Sequence, residues 1–156
     1  MKTIEELNQI KEKNLCHIKI RQEEQKDISV ENRNMKSHTT HVLVCGGTGC
    51  HSSNSDKIRE LLEKKVKEKG LEDNIKIVLS GCFGLCEAGP NIVIYPEGIF
   101  YSHVKLEDVD EIVETHFEKG QIVDRLLFKE ARGEEIIKPV NEVNFYKKQT
   151  RVALRN

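Results

Sequence analysis

The sequence predicts an α/β fold, a small mixed sheet with helices packed on it. Three observations point there. Between His41 and Gly120, short apolar runs of strand length alternate with stretches of helical periodicity, in the order β-α-β and then β-β-α. Gly70 and Gly120 stand where the two helical stretches should stop. Glu97-Gly98 lies between two apolar runs as a two-residue hairpin connection, which sets an antiparallel pair within the sheet.

Taken in order, the chain divides into three zones: 1–36, 37–128 and 129–156. The first opens with Thr3 and Glu6 in capping-box spacing, followed by Ile4, Leu7, Ile10, Leu15 and Ile18, which predicts one amphipathic helix. The stretch that follows, RQEEQKDISVENRNMKSHTT, has many charges and almost nothing to bury, as a linker does. In the second zone HVLVC predicts a buried strand. Ser53 and Asp56 have capping-box spacing ahead of Ile58, Leu61, Leu62 and Val66 on one helical face. IKIVLS is a second strand, and NIVIYP and IFYSHV are the arms of the hairpin. Leu106, Val109, Ile112, Val113 and Phe117 make the next amphipathic helix. This order of elements is the thioredoxin-like arrangement. In the third zone QIVDRLLF is apolar enough to pack onto the domain, and ARGEEIIKPVNEV has the pattern of a hairpin. NFYKKQTRVALRN is basic and has no stop signal, so the chain is expected to be cut from a longer one.

At 156 residues the chain is sized for one domain with appendages. Charged residues make up 33% and the formal net charge is −1, so no overall field selects nucleic acid or an acidic membrane as partner. No apolar run approaches the roughly 20 residues of a membrane span. The acidic N-terminus lacks the apolar core of a secretory signal. A cytoplasmic setting is therefore expected, in which clustered cysteines are ligands or redox groups before they are structural disulfides.

Four of the five cysteines fall into two pairs, Cys45/Cys50 and Cys82/Cys86, in C-x4-C and C-x3-C spacing. Each pair lies in a glycine-containing loop, VCGGTGC or SGCFGLCEAGP, at the end of a strand-like run. Four thiolates from two loops are a ligand set for a [2Fe–2S] cluster. With four thiolates the oxidised cluster carries a formal charge of about −2, and reduction adds another. Glycines at 46, 47, 49, 81, 84 and 89 let backbone N–H groups approach such an anion. A helix starting near Ser53, just after Cys50, would turn its positive end toward it. Four ligands close the coordination, which suits electron transfer and leaves no position for chemistry at the metal.

The same residues admit other readings. Zinc also accepts four cysteines at such separations, so a zinc-stapled interaction module stays open as the alternative. A dithiol–disulfide enzyme would need C-x-x-C, which neither pair has. The GGTGCHSS stretch puts Ser52 where a dinucleotide loop needs its third glycine. Cys16 has no cysteine neighbour and is a bystander. His51 is a lone loop histidine, whereas a Rieske centre needs two histidine ligands. Phe83 and Leu85 either shield the site or pack as ordinary loop residues. Lys147, Lys148, Arg151 and Arg155 face solvent or dock an acidic partner.

The segments CGGTGC, GCFGLCEAGPNIVIYPEGIFYSHV and EDVDEIVE resemble the thioredoxin-like [2Fe–2S] ferredoxin family. The resemblance covers about residues 42–128. It implies that Cys45, Cys50, Cys82 and Cys86 are the cluster ligands, with no catalytic residue in this chain. The family includes stand-alone ferredoxins, a small subunit of NADH:quinone oxidoreductase, and N-terminal domains fused ahead of an NADH- and FMN-binding subunit in soluble hydrogenases. The tail NFYKKQTRVALRN is similar to the segment leading into that flavin subunit. This implies an N-terminal domain of an NADH dehydrogenase or hydrogenase beta-type subunit, an electron carrier that is part of an enzyme without its own substrate site. The partners so implied are a flavin/NADH-binding domain and other iron–sulfur or hydrogenase subunits. FMN, NAD and further clusters are expected only there. The family also leaves open a cluster-bearing side domain off the main electron path.

Overall fold

A computed structural model describes residues 3–22, 40–129 and 142–149. Helix α1 (Ile4–Gln22) opens with the expected capping box: Thr3 N–H donates to Glu6 Oε2 at 2.7 Å, and Glu6 N–H donates to Thr3 Oγ1 at 3.2 Å. The apolar residues that open its predicted buried stripe, Ile4, Leu7 and Ile10, are exposed. The expected linker before residue 40 and the expected hairpin within ARGEEIIKPVNEV fall almost wholly outside the described residues.

The sheet has four strands, β1 (Thr40–Cys45), β2 (Ile75–Ser80), β3 (Ile92–Tyr95) and β4 (Ile99–Tyr101), in the spatial order β2-β1-β3-β4. β1 runs parallel to β2, with Cys45 opposite Ser80, and antiparallel to β3, which pairs antiparallel with β4. The mixed sheet is thus as expected. Between β1 and β2 the chain forms a short helix α2 (Thr48–Ser52) and then α3 (Ser55–Glu68). Helix α4 (Asp108–Glu111) widens into a π-helical segment, Ile112–Glu118.

The two-residue period of the strands divides their side chains between two apolar layers. Val42, Val44, Ile92, Ile94 and Tyr101 face the main core, where Ile58, Leu62 and Val66 of α3 meet Val109, Ile112 and Val113. Burying each such aliphatic side chain contributes about 1.5–3 kcal/mol. The other face carries Leu43, Val93, Tyr95 and Phe100, covered by Phe83, Leu85, Phe128, Val143 and Tyr146. QIVDRLLF packs as expected, with Val123, Leu126 and Leu127 buried. Among the described residues no helix is long and apolar enough to cross a membrane.

Four expectations need correction. Ser53 does not cap α3: the helix starts at Ser55, its cap residue Asn54 takes a left-handed φ of 66° with no side-chain cap bond, and Asp56 pairs instead with His51 at 2.5 Å. Cys50 precedes α3 by five residues but itself lies inside a separate short helix, α2, which starts at Thr48, ten residues before the apolar periodicity begins at Ile58. The hairpin turn spans Pro96–Gly98, with Gly98 at φ 66°, the left-handed last position of a three-residue loop. Leu106 lies ahead of its helix and is exposed, because the helix begins only at Asp108, whose buried carboxylate accepts from Lys105 N–H and Arg125.

Among the described residues, a polar pair lies in the main core. Tyr101 Oη accepts from Val123 N–H at 2.9 Å and contacts His116 Nδ1 at 2.7 Å. The hydroxyl thus joins the imidazole to the Val123 backbone inside the core. Burial pushes the Tyr101 phenol up to about 12. Since an unfolded tyrosine titrates near about 10, the folded state holds its proton to higher pH. The resulting stabilisation is complete below about pH 10 and is lost as the pH rises toward 12. Tyr101→Phe is expected to cost about 1–3 kcal/mol at neutral pH, because the buried Val123 N–H loses its acceptor. In thermal melts, the wild-type advantage over the variant should shrink between pH 10 and 12. A gap that is absent at neutral pH, or that widens with alkali, would contradict this.

Candidate metal centre

Parallel pairing of β1 and β2 sends the chain out of both strands at the same edge of the sheet. Cys45 is the last residue of β1, and Cys82 follows the end of β2 by two residues. The Gly46 N–H donates to Ser80 O at 3.0 Å, carrying the pairing one residue past Cys45. From there the first loop turns into α2, which delivers Cys50. The second loop runs from Gly81 through a short 3₁₀ turn, Cys86–Ala88, to Pro90 and Asn91, and so into β3. All four cysteines of the two predicted pairs therefore sit at one edge, and none is in a disulfide. Cys16 lies on a part of α1 whose side chains are outside the described residues.

The two loops interleave. Cys82 Sγ and Cys86 Sγ are 3.6 Å apart. Thiolates on one tetrahedral metal with bonds of about 2.3 Å would be separated by about 3.8 Å. A Cβ on Gly47 of the first loop would stand 3.0 Å from Cys82 Sγ, and one on Gly89 would stand 2.7 Å from Cys50 Sγ. Glycine is needed at both places by close approach to sulfur. Cys45 Sγ is 3.9 Å from Gly81 O in the opposite loop. Among the described residues no three metal-ligating side chains converge as a site for one ion. Four thiols in two pairs, each lined by glycine, fit a binuclear [2Fe–2S] cluster, which takes two thiolates on each iron and no other protein ligand.

Burial divides the set. Cys45 and Cys50 are buried, and Cys82 and Cys86 are exposed. Burial, then the bond with Cys45, pushes the Cys50 thiol up to about 11, opposed by the Asn91 backbone N–H that donates to its sulfur. At neutral pH this thiol holds its proton, so metal binding has to displace it. The Gly84 N–H donates to Cys82 Sγ at 3.3 Å and holds that thiol below its usual range, aided by the bond from Cys86. The bond and charge of Cys82 in turn raise Cys86.

Asn91, a residue that sequence reasoning passed over, connects the loops. Its carbonyl accepts from Cys45 N–H at 3.0 Å, its N–H donates to Cys50 sulfur, and its side-chain Nδ2 donates to Leu85 O at 2.9 Å, directly before Cys86. A single polar residue opening an apolar strand gives little sign of this, apart from its place directly after Gly-Pro. Phe83 and Leu85 pack into the second apolar layer, Phe83 edge-on to Phe100 with centroids 6.4 Å apart. They are ordinary packing residues in this respect. His51, 65% exposed, engages Asp56, and Lys147 and Lys148 face solvent.

The tail also reaches this site. A short helix α5 (Asn144–Lys147) brings Tyr146 Oη to within 2.5 Å of Phe83 O, and Phe145 packs over Gly84. The basic character of the segment NFYKK hid this, because the two aromatics were read only as part of a connecting stretch.

Comparison with known proteins gives consistent results. The sequence profile of the thioredoxin-like [2Fe–2S] ferredoxins matches residues 31–116. A 2Fe–2S ferredoxin of Clostridium pasteurianum is 43% identical over 94 residues, spanning 55% of this chain and 92% of that protein. One from Aquifex aeolicus is 34% identical over 101 residues, spanning 59% and 91%. The crystal structure of the wild-type thioredoxin-like [2Fe–2S] ferredoxin from Aquifex aeolicus matches with a TM-score of 0.54 at 35% identity, covering 58% of this chain and 97% of that one.

Replacing Asn91 with Ala should leave the fold intact by circular dichroism while weakening the grip on the cluster. Loss of a partner one step removed from metal ligands typically costs about 10–100-fold in metal affinity. The rate at which a chelator removes iron from the reconstituted variant measures this, and a rate equal to wild type would remove Asn91 from the site.

Proposed function

The chain belongs to the thioredoxin-like [2Fe–2S] ferredoxin family, and from that premise we propose that Cys45, Cys50, Cys82 and Cys86 together hold its cluster. The observation that carries this is the parallel β1–β2 pair, which delivers both cysteine loops to one edge of the sheet. The bound cluster takes up and gives back one electron at a time. The protein is thus a [2Fe–2S] ferredoxin-type electron carrier.

Its own residues supply the setting. Buried Cys45 and Cys50 keep water from one side of the site, and exposed Cys82 and Cys86 bring the other side to the surface, where a redox partner approaches. The Asn91 and Gly84 N–H groups donate to sulfur and offset the negative charge that reduction adds. The two loops are held by backbone pairing and by Asn91, so the site is organised by the fold rather than by the metal alone.

The wider setting follows from the tail. In our reading the carrier works in the cytoplasm as the N-terminal domain of a larger NADH dehydrogenase or hydrogenase subunit, bounded at about residues 37–128. It exchanges electrons with a flavin/NADH-binding domain or with other iron–sulfur and hydrogenase subunits. FMN, NAD and further clusters belong to those partners, and NADH chemistry takes place there. The similarity of NFYKKQTRVALRN to the segment leading into such a flavin subunit supports this.

Purified anaerobically, the protein should be brown, should bleach with dithionite, and should contain about two iron and two acid-labile sulfide per chain. Colourless protein with one zinc per chain would sink the cluster assignment. Within an intact complex, Cys82→Ser should slow electron flux from NADH. Undiminished flux with the cluster gone would make the domain a side station.

A further inference from the structure

We propose that Tyr146, a residue of the tail, sets the reduction potential of the cluster by holding the Phe83–Gly84 peptide against the Cys82 sulfur. The proposal rests on Cys82 being a cluster ligand. One peptide group carries both contacts: its carbonyl, Phe83 O, accepts from Tyr146 Oη at 2.5 Å, and its amide, Gly84 N–H, donates to Cys82 Sγ at 3.3 Å. A peptide is planar, with C=O and N–H pointing in opposite directions, so fixing the oxygen fixes the line along which the N–H points. Hydrogen bonding to the oxygen also polarises the unit and makes the N–H a stronger donor.

The surrounding residues leave this peptide to the tail. Gly84 has φ +83°, a conformation that side chains rarely adopt, so the peptide is free to take the orientation that the contacts impose. Phe145 covers Gly84, since a Cβ there would lie 3.1 Å from its ring. Val143, buried in the second apolar layer, anchors the tail beside the loop. Leu85 O, two residues further along the loop, is held from within the domain by Asn91, whereas Phe83 O is held by the tail. Tyr146 touches neither metal nor sulfur and is a positioning residue.

The direction of the effect follows from charge. Reduction adds a negative charge to the cluster, and a donor aimed at a ligand sulfur favours the more negative state. Removing the Tyr146 hydroxyl weakens that donor and lowers the potential.

The test uses the full chain, loaded with its cluster, in wild-type and Tyr146→Phe forms. Iron and sulfide per chain are measured first, then the midpoint potential by anaerobic titration followed by electron paramagnetic resonance. At equal cluster content, the variant's reduction equilibrium should fall about threefold, a downward shift of about 28 mV at about 59 mV per decade for one electron. An unchanged or raised potential at equal cluster content overturns the proposal and leaves the cluster assignment standing. No cluster in the wild type overturns the assignment itself. If the variant loses its cluster, 3-fluorotyrosine placed at position 146 decides at neutral pH. It keeps the bond with a more acidic hydroxyl, so the potential should rise, and an unmoved potential overturns the proposal.

Discussion

The two cysteine loops leave different strands, and Asn91 is where they meet. Its main chain bonds Cys45 N–H and the Cys50 sulfur, and its side chain bonds Leu85 O inside the other loop. Without that junction the parallel strands would still bring the loops to one edge, but their separation would depend on the bound metal. Asn91 sits at 1% exposure, where water does not compete for these bonds. It also leads directly into β3, which has a paired strand on each side, so the junction is fixed to the interior of the sheet.

The same sheet explains why the site has a dry side and a wet side. One layer buries α3 and the long helical element that begins at Asp108, and the other layer is closed partly by the second cysteine loop itself, through Phe83 and Leu85. Folding of that loop is thus tied to burial of Phe100 and Val93. The sulfurs that belong to β1 and α2 are covered, and those on the second loop remain at the surface. Electron exchange needs such an exposed edge, and ligand retention benefits from the covered one.

Much of this was legible in the residues. Val42, Val44, Ile92 and Ile94 alternate and flag the strands, and Ile58, Leu62 and Val66 repeat at helical spacing. Cysteine pairs at strand ends were enough to expect four thiols near one another, and the parallel pairing of β1 with β2 brings both loops to one edge. What escaped notice depends on contacts distant in sequence or on short elements without a period. Five residues cannot show helical periodicity, so α2 around Cys50 was missed, and Ser53 offered a false cap beside Asn54. The partnership of Tyr101 with His116, and of Tyr146 with Phe83, joins residues 15 and 63 positions apart. Neither pairing leaves a local signature.

In the proposed site, four thiolates from two loops close the coordination of a binuclear iron centre. X-ray absorption at the iron edge of the protein as purified under nitrogen tests it most directly. The expected spectrum shows iron surrounded by sulfur alone, with a second iron as its next neighbour. A nitrogen or oxygen ligand on iron, or the absence of an iron neighbour, would contradict it.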